Sequence, residues 1–357
     1  MITFFTPKHH LHAPEYEFFR GERVACFESP SRADFVQEEL AKRGHEIREP
    51  SVDSTAVLRQ VHSARYLAFL ESAWAQYLSS SVAVDAGNAA RQPFPSVWPV
   101  RTLRSDVEPQ NFTAKLGLYS MDNGTPMVAG TWAAAKAGAD AAASAAVLVS
   151  GNSGNSNVKA AFCTTRPPGH HAGADFMGGY CFLNNAAVAA QTLVNQINLR
   201  NAGSAKVAIL DVDYHHGNGT QSIFYDRADV LFVSIHGDPR TEYPFYLGHA
   251  EEIGEGAGHG FNLNLPLAAG SSKAVWFAAL ATACEKIKQF GADALIVSLG
   301  LDTFEDDPIS TFALKSDDYL ELGAVLKQLG LATVFILEGG YAAKELGLNA
   351  ANVLEAF

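Results

Sequence analysis

Four polar clusters in this chain each begin just after a short apolar run rich in β-branched and aromatic residues. The runs cover residues 158–163, 206–210, 295–299 and 333–337, and the clusters after them cover residues 166–171, 211–220, 300–304 and 338–341. In an open sheet of parallel strands, ligand sites form at the carboxyl ends of the strands. The sequence therefore predicts one parallel sheet that gathers two histidines, several aspartates and a tyrosine at a single edge. That set suits a metal-activated hydrolase.

Strand, loop and helix patterns alternate along most of the chain. Strands are also predicted at residues 2–6 and 230–235. Helices are predicted at residues 33–43, 185–195, 272–290 and 316–329, together with one that starts at residue 63 and another that ends at residue 149. An irregular loop is predicted at residues 236–260. Repeated units of this kind favour a single α/β domain spanning residues 1–357, a multi-stranded parallel sheet with helices on both faces.

One long segment, residues 79–125, breaks this alternation. It carries several prolines and shows little periodicity, yet it contains Phe94, Trp98, Phe112 and Tyr119. A solvated linker rarely holds so many aromatic residues, and long irregular stretches in compact domains are usually functional or disordered. We interpret the segment as an ordered insertion that covers a site or a partner.

The charge balance limits the kinds of partner. With 26 lysines and arginines against 38 aspartates and glutamates, the formal net charge is -12, which disfavours nucleic acid and anionic membranes and favours cationic partners. The four cysteines form no C-x-x-C pair, so reduced thiols are expected. The apolar stretch 126–150 contains Lys136 and Asp140, and we expect a packed helix there and not a membrane span. With His9 and His10 interrupting any signal-like start, a cytoplasmic location is expected.

Asp213 and His215 are the first candidate metal ligands. Residues two apart in an extended chain point to the same side, and Asp211 shares that side one step deeper. Asp302, from another strand end, supplies a third ligand. Two carboxylates, one imidazole and an open position suit catalytic zinc, although other divalent metals accept the same donors. The alternative is a set of capping and core polar groups.

His170 and His171 are candidate general bases. They follow a Pro-Pro-Gly turn that can aim both rings at the site, and each ring needs a partner that fixes its tautomer. Asp211 and Asn218 are the candidate partners. One histidine paired with a carboxylate and one with an amide would differ in basicity. The alternative is a pair of structural loop histidines.

Aromatic residues supply the remaining candidates. Tyr341 follows two glycines that permit a tight turn, and its hydroxyl could donate a hydrogen bond to a developing oxyanion. Gly179 and Tyr180 could place an aromatic wall beside the metal, with a second wall from residues 243–246. Plain core packing is the alternative for each ring.

In their order along the chain, these motifs resemble those of the histone deacetylase superfamily, whose members have the arginase/deacetylase fold. The matching strings are R-P-P-G-H-H, D-V-D-Y-H-H-G-N-G-T, S-I-H-G-D-P, S-L-G-L-D-T-F and E-G-G-Y, with further similarity at residues 15–22, 30–33 and 61–62. Within the superfamily, H-G-D-P, residues 304–310 and the insertion before Met121 are most similar to bacterial acetylpolyamine amidohydrolases.

The resemblance implies a set of site residues. It implies zinc, or ferrous iron in the cell, held by Asp213, His215 and Asp302. It implies water activated by His170 and His171, a carbonyl polarised by Tyr341, and potassium near Asp211 and Ser234. Asn218 stands where several protein deacetylases carry aspartate, as expected in the polyamine branch.

The resemblance also implies partners. The insertion supports a homodimer and narrows the mouth of the active site. Acidic residues near the mouth, which match Glu17 and Glu108, receive the distal ammonium groups of an acetylpolyamine substrate. The implied activity is zinc-dependent deacetylation of acetylputrescine, acetylcadaverine or acetylspermidine.

Three other functions stay open. An acyl-lysine deacetylase of proteins or small molecules would use the same site. A binuclear-manganese ureohydrolase needs D-x-H-x-D, and Gly217 stands at the position of its last aspartate. The third alternative is a catalytically inactive binding protein. Such a protein would not need the catalytic residues, whereas this chain has a matching residue at every catalytic position.

Overall fold

The computed structural model describes residues 1–80, 92–100, 102–151, 158–201, 203 and 205–357. The strands in chain order are β1 (Ile2–Phe4), β2 (Tyr16–Phe19), β3 (Glu22–Ala25), β4 (Glu46–Arg48), β5 (Ala160–Cys163), β6 (Val207–Asp211), β7 (Val230–Gly237), β8 (Asn262–Leu267), β9 (Ala294–Leu299) and β10 (Ala332–Leu337). The helices are α1 (Ser31–Lys42), α2 (Thr55–Val61), α3 (Ala64–Ser79), α4 (Phe112–Leu118), α5 (Thr131–Val149), α6 (Asn185–Asn201), α7 (Asn218–Phe224), α8 (Lys273–Phe290), α9 (Asp318–Lys327) and α10 (Ala343–Ala356), with 3-10 turns at Pro7–Leu11 and Gly256–Gly258.

Eight of the strands form one sheet in the order β4-β1-β5-β10-β9-β6-β7-β8, and every neighbouring pair is parallel. The predicted parallel sheet is therefore confirmed. The four strands that precede the polar clusters, β5, β10, β9 and β6, are consecutive neighbours at its centre. Their carboxyl ends, and the clusters attached to them, consequently lie side by side.

Two hydrophobic cores cover the two faces of the sheet. Alternate residues of a strand point to opposite faces, so in β6 Ile209 belongs to one core and Leu210 to the other. The first core includes α5 and α6, and the second includes α1, α8, α9 and α10. Strands that are buried on both faces have continuous apolar sequences. The central strands could therefore be predicted from the sequence.

Several elements were not predicted. The antiparallel hairpin of β2 and β3 and the edge strands β4 and β8 are short or carry polar residues. The predicted strand 2–6 ends at Phe4 because Thr6 caps the following 3-10 turn by accepting from Lys8 N. Part of the insertion is regular, since Asn111 caps α4 by accepting from Ala114 N. Residues 81–91 and 101 of the insertion, and residues 152–157, lie outside the described residues.

The alanine-rich stretch expected to be a packed helix is α5. Most of its residues are buried, and it packs against α6 and β5. Over the described residues, no helix combines the length and the apolar character needed to cross a bilayer. Cys26, Cys163, Cys181 and Cys284 are all free thiols, as predicted.

Candidate active site

Three of the predicted metal ligands meet where β6 and β9 end. Asp213 and His215 lie in the turn between β6 and α7, and Asp302 lies three residues beyond β9. His215 Nδ1 is 3.0 Å from Asp302 Oδ2 and 3.3 Å from Asp213 Oδ1. Two ligand atoms about 2.0–2.1 Å from a tetrahedral zinc lie roughly 3.3–3.4 Å apart. One imidazole nitrogen and two carboxylate oxygens at these separations fit a zinc ion or a similar divalent metal.

Backbone amides hold the two carboxylates in place. Gly339 N donates to Asp213 Oδ2 at 2.8 Å, and Tyr214 N donates to Asp302 Oδ1 at 2.8 Å. The other oxygen of each carboxylate faces His215, whose backbone N–H donates to Asp213 Oδ1 at 2.9 Å and whose Nδ1 lies 3.0 Å from Asp302 Oδ2. Burial, followed by the charge of Asp213, raises the pKa of Asp302 to about 8. Two buried carboxylates this close repel one another, and a bound cation relieves that repulsion.

The histidine pair makes both of the predicted hydrogen bonds. His170 Nδ1 lies 3.0 Å from Asp211 Oδ2, and His171 Nδ1 lies 2.7 Å from Asn218 Oδ1. Because both partner atoms are acceptors, each Nδ1 carries the hydrogen and each Nε2 keeps its lone pair while the ring is neutral. The two rings lie 4.0 Å apart between centroids.

The different partners separate the basicities of the two rings. Burial on its own would lower the pKa of His170, but the carboxylates of Asp213 and Asp211 raise it to about 10. Burial, then the neighbouring His170 and His215, holds the pKa of His171 well below its usual value. His171 is consequently a neutral base, and His170 is the better cation.

Glu338 is a buried residue whose contribution the sequence analysis missed. Its Oε2 accepts hydrogen bonds from Gly169 N at 2.6 Å and His170 N at 3.2 Å. It thereby fixes the loop that carries both histidines. Its place at the head of the E-G-G-Y string is the signal that could have identified it.

A cavity of about 710 Å³ opens over this cluster. Its lining comprises Glu17, Phe18, Phe19, Arg20, Gly21, Met121, Asp122, Asn123, Gly124, His171, Phe176, Gly179, Tyr180, His215, Asn218, Thr241, Glu242, Tyr243, Pro244, Phe245, Tyr246, Leu247, Ile309 and Tyr341. Tyr341 lies 5.6 Å from Tyr180 between ring centroids. Burial raises the pKa of Tyr341 well above its usual value, so its hydroxyl keeps its proton and can donate.

Two aromatic walls flank the cavity. Tyr180 belongs to the first, and its loop passes so close to His171 that a Cβ at Gly179 would lie 2.2 Å from His171 Cδ2. Tyr243 belongs to the second, with its ring edge-on to His171 at 5.1 Å. Asp122, which the sequence did not single out, links the walls by accepting from Gly179 N and Tyr243 Oη, both at 2.7 Å.

Glu17 and Glu108, the two acidic residues predicted at the mouth of the active site, lie in different surroundings. Glu17 lines the cavity, but its carboxylate is only 1% exposed and accepts from Tyr180 Oη at 2.7 Å. Burial raises its pKa. Glu108 does not line the cavity of its own chain; it pairs with Lys115 at 2.7 Å, one turn along the neighbouring helix α4. Its predicted place at the mouth is therefore not seen within one chain.

The two predicted potassium ligands are neighbours. Asp211 and Ser234 lie opposite each other in the register of β6 and β7. The Ser234 hydroxyl is 2.8 Å from His236 Nδ1.

This fold and this site together define the arginase/deacetylase class of α/β proteins. The histone deacetylase domain family matches residues 26–357, so the chain belongs to that family.

Named relatives are similar over the whole chain. Acetylpolyamine amidohydrolase 2 of Pseudomonas aeruginosa is 50% identical, with 100% of this chain and 98% of the relative covered. Acetylpolyamine amidohydrolase of Mycoplana ramosa is 42% identical, with 99% of each covered. The crystal structure of acetylpolyamine aminohydrolase from Burkholderia pseudomallei superposes with a TM-score of 0.90 at 38% identity, covering 100% of this chain and 98% of that one.

Proposed function

We propose that this chain hydrolyses N-acetylated polyamines to the free amine and acetate, with zinc as its metal. The observation that carries the proposal is the charge of the cavity above the metal-type cluster. Asp122 and Glu242 contribute carboxyl groups to its lining, the buried carboxyl group of Glu17 lies behind Tyr180, and Arg20 is the only lysine or arginine among the described residues that line it. An acidic, aromatic cavity favours a slim cationic substrate. The names of relatives 38–50% identical to this chain support the same substrate class.

Asp213, His215 and Asp302 would hold the zinc, and Asp211 and Ser234 would help to hold a structural potassium. Bound zinc would polarise the amide carbonyl and lower the pKa of the attacking water. We expect no role for potassium in the chemical step. Because all four thiols are free, a cytoplasmic location suits the proposal.

The protein side chains then divide the proton transfers and the charge. His171, neutral and with its Nε2 lone pair available, takes the proton from water and returns it to the leaving amine. His170, whose Nδ1 lies 3.0 Å from the Asp211 carboxylate, would be stabilised as a cation by that carboxylate and would lower the energy of the negative charge that develops nearby. The water oxygen bonds to the carbonyl carbon, and Tyr341 donates a hydrogen bond to the oxyanion that forms. The C–N bond then breaks as His171 protonates the amine, and the products are the free amine and acetate.

The structure opposes the ureohydrolase alternative. A Cβ at Gly217 would lie 2.1 Å from Asp211 Oδ2, so an aspartate at this position would have to displace the side chain that pairs with His170. The acyl-lysine alternative differs only in the substrate, and a direct comparison of substrates separates it from our proposal.

The test is the kcat/KM of the zinc-loaded enzyme with acetylputrescine, acetylcadaverine, acetylspermidine and an acetyl-lysine peptide. We expect at least one acetylpolyamine to exceed the peptide by about tenfold or more, which corresponds to about 1.4 kcal/mol of transition-state binding. Equal or better turnover of the peptide would assign the chain to the acyl-lysine deacetylases.

A charge control sharpens this comparison. Glu242→Gln keeps the shape of the cavity and removes one negative charge. A carboxylate near a protein surface gains roughly 1–2 kcal/mol net from an ammonium group, so kcat/KM for acetylputrescine should fall about tenfold, mainly through KM. The neutral analogue N-butylacetamide should be unaffected. An equal loss for both substrates would mean that Glu242 shapes the cavity and does not recognise charge.

A further inference from the structure

A second cluster of metal-ligand side chains lies outside the cavity, at the amino-terminal end of the fold. His9 and His10 stand in the 3-10 turn Pro7–Leu11, and Asp34 stands in the first turn of α1. His9 Nε2 lies 3.3 Å, and His10 Nε2 3.1 Å, from the same atom, Asp34 Oδ1. None of the three lines the cavity described above.

His9 is the member of this cluster that needs an explanation. Its side chain is 1% exposed, yet neither ring nitrogen makes a hydrogen bond among the described residues. Buried polar atoms without a partner are uncommon in folded proteins. An ion pair between His10 and Asp34 would account for those two residues, but it leaves the Nε2 atom of buried His9 unused beside the carboxylate.

The geometry and the charge state of the cluster suit a metal. The separations of 3.1 and 3.3 Å are close to the roughly 3.3–3.4 Å expected between two ligands of a tetrahedral ion with bonds of about 2.0–2.1 Å. Burial, then His10 and Arg166, lowers the pKa of His9 to about 3. Its imidazole is therefore neutral at physiological pH, and neutral imidazole is the form that binds metals.

We propose that His9, His10 and Asp34 form a second, accessory site for a divalent transition metal such as zinc. Two imidazoles and one carboxylate select zinc, nickel or copper over magnesium or calcium, which prefer all-oxygen ligands. His10 and Asp34 are 52% and 37% exposed, so water can complete the coordination and the ion can enter from solvent. The site takes no part in the proposed hydrolysis and does not depend on it.

The accessory metal would tie together two segments that support the catalytic loops. The carbonyl of His9 accepts from Arg166 Nη1 at 2.7 Å, at the start of the loop that carries the histidine pair. Arg32, two residues before Asp34, donates to the carbonyls of Glu338 and Gly340, just before Tyr341. A metal that joins the 3-10 turn to α1 would therefore stabilise the folded chain.

The experiment counts zinc per chain by elemental analysis after the holoenzyme is dialysed against micromolar free zinc. We expect the wild type to retain one more zinc than His10→Ala or Asp34→Asn. Both changes affect partly exposed side chains, so the fold should survive. Asp213→Ala should lose the zinc of the cavity site and keep the accessory one. The control His259→Ala, at an exposed histidine far along the chain, should match the wild type.

A second readout is thermal unfolding, in which added zinc should raise the midpoint of the wild type more than that of His10→Ala. Equal zinc content in the wild type, His10→Ala and Asp34→Asn would overturn the proposal, because any extra ion would then bind elsewhere. A wild type that takes up no zinc beyond that lost in Asp213→Ala would overturn it too.

Discussion

At the scale of single residues, the site differentiates two adjacent histidines by the groups behind them. Asp211 places a carboxylate behind His170, and Asn218 places an amide behind His171. A carboxylate stabilises the imidazolium ion, whereas an amide oxygen only orients the ring. The identity of these second residues therefore decides which histidine acts as the base.

Asn218→Asp tests this division. The new carboxylate favours the protonated form of His171 and so raises its pKa. A general base must be deprotonated to work. As the pH is lowered, the variant should therefore lose activity at a higher pH than the wild type does. The acidic limb of the kcat/KM profile for acetylputrescine should move upward relative to the wild type. A limb that stays in place would show that His171 is not the group whose titration controls the rate.

Tyr341→Phe tests the proposed oxyanion donor. The ring keeps its contacts with Tyr180 and the Arg32 guanidinium, which lies 4.8 Å from its centroid, and only the hydroxyl is lost. Removing one oxyanion donor usually lowers kcat by roughly 10²–10³-fold. Zinc content and the unfolding midpoint should be unchanged. A kcat within twofold of the wild type would make Tyr341 a packing residue.

At the scale of secondary structure elements, the strands that are buried on both faces of the sheet were predicted from the sequence, and short or partly polar strands were missed. The four central strands and their polar clusters were predicted, because continuous apolar runs followed by Gly-, His- and Asp-rich turns leave few other interpretations. The Asp211 and Asn218 contacts were predictable because both residues share one motif with the metal ligands.

The missed residues have no local signal of their own. Asp122 matters because tertiary folding places it between Gly179 and Tyr243, more than fifty residues away in the chain. Glu108 was placed at the mouth by resemblance alone, and within one chain its nearest cation is Lys115. Hydrogen bonds over such sequence distances follow from the packing of the whole sheet, which a residue pattern does not contain.

The loop carrying Tyr180 gives a prediction at this scale. Gly179→Ala puts a Cβ 2.2 Å from the His171 ring, at a φ of +52°. Overpacking costs roughly 1–3 kcal/mol, and a left-handed conformation costs a further 1–2 kcal/mol. Urea unfolding should show both costs, and kcat should fall as His171 is displaced.

Gly270→Ala is the matched control for that substitution. Gly270 has a φ of +71°, and nothing lies within 4 Å of its added Cβ. It should therefore show only the conformational cost, with kcat unchanged. Equal losses of stability in the two variants would mean that the Tyr180 loop moves away from His171 without resistance.

At the scale of the whole molecule, the insertion leaves an apolar surface exposed. Val97, Val100, Leu103 and Val107 lie within eleven residues of one another and are each 57–60% exposed. Several exposed apolar side chains in one short segment often mark an interaction site. Because the same insertion contains the cavity residues Met121 and Asp122, an interface here would also stabilise the mouth of the cavity.

We therefore predict a homodimer that buries this surface, which we name the insertion face and define by Val97, Val100, Leu103 and Val107. Light scattering at micromolar concentration should give about twice the chain mass of 38.2 kDa. Leu103→Glu should shift the protein toward monomers, because a charge buried in an apolar interface costs several kcal/mol. Leu199→Glu, at a leucine 80% exposed on α6, is the control and should remain dimeric. A wild type that stays monomeric under these conditions would contradict the prediction, because the insertion face would then mediate no self-association.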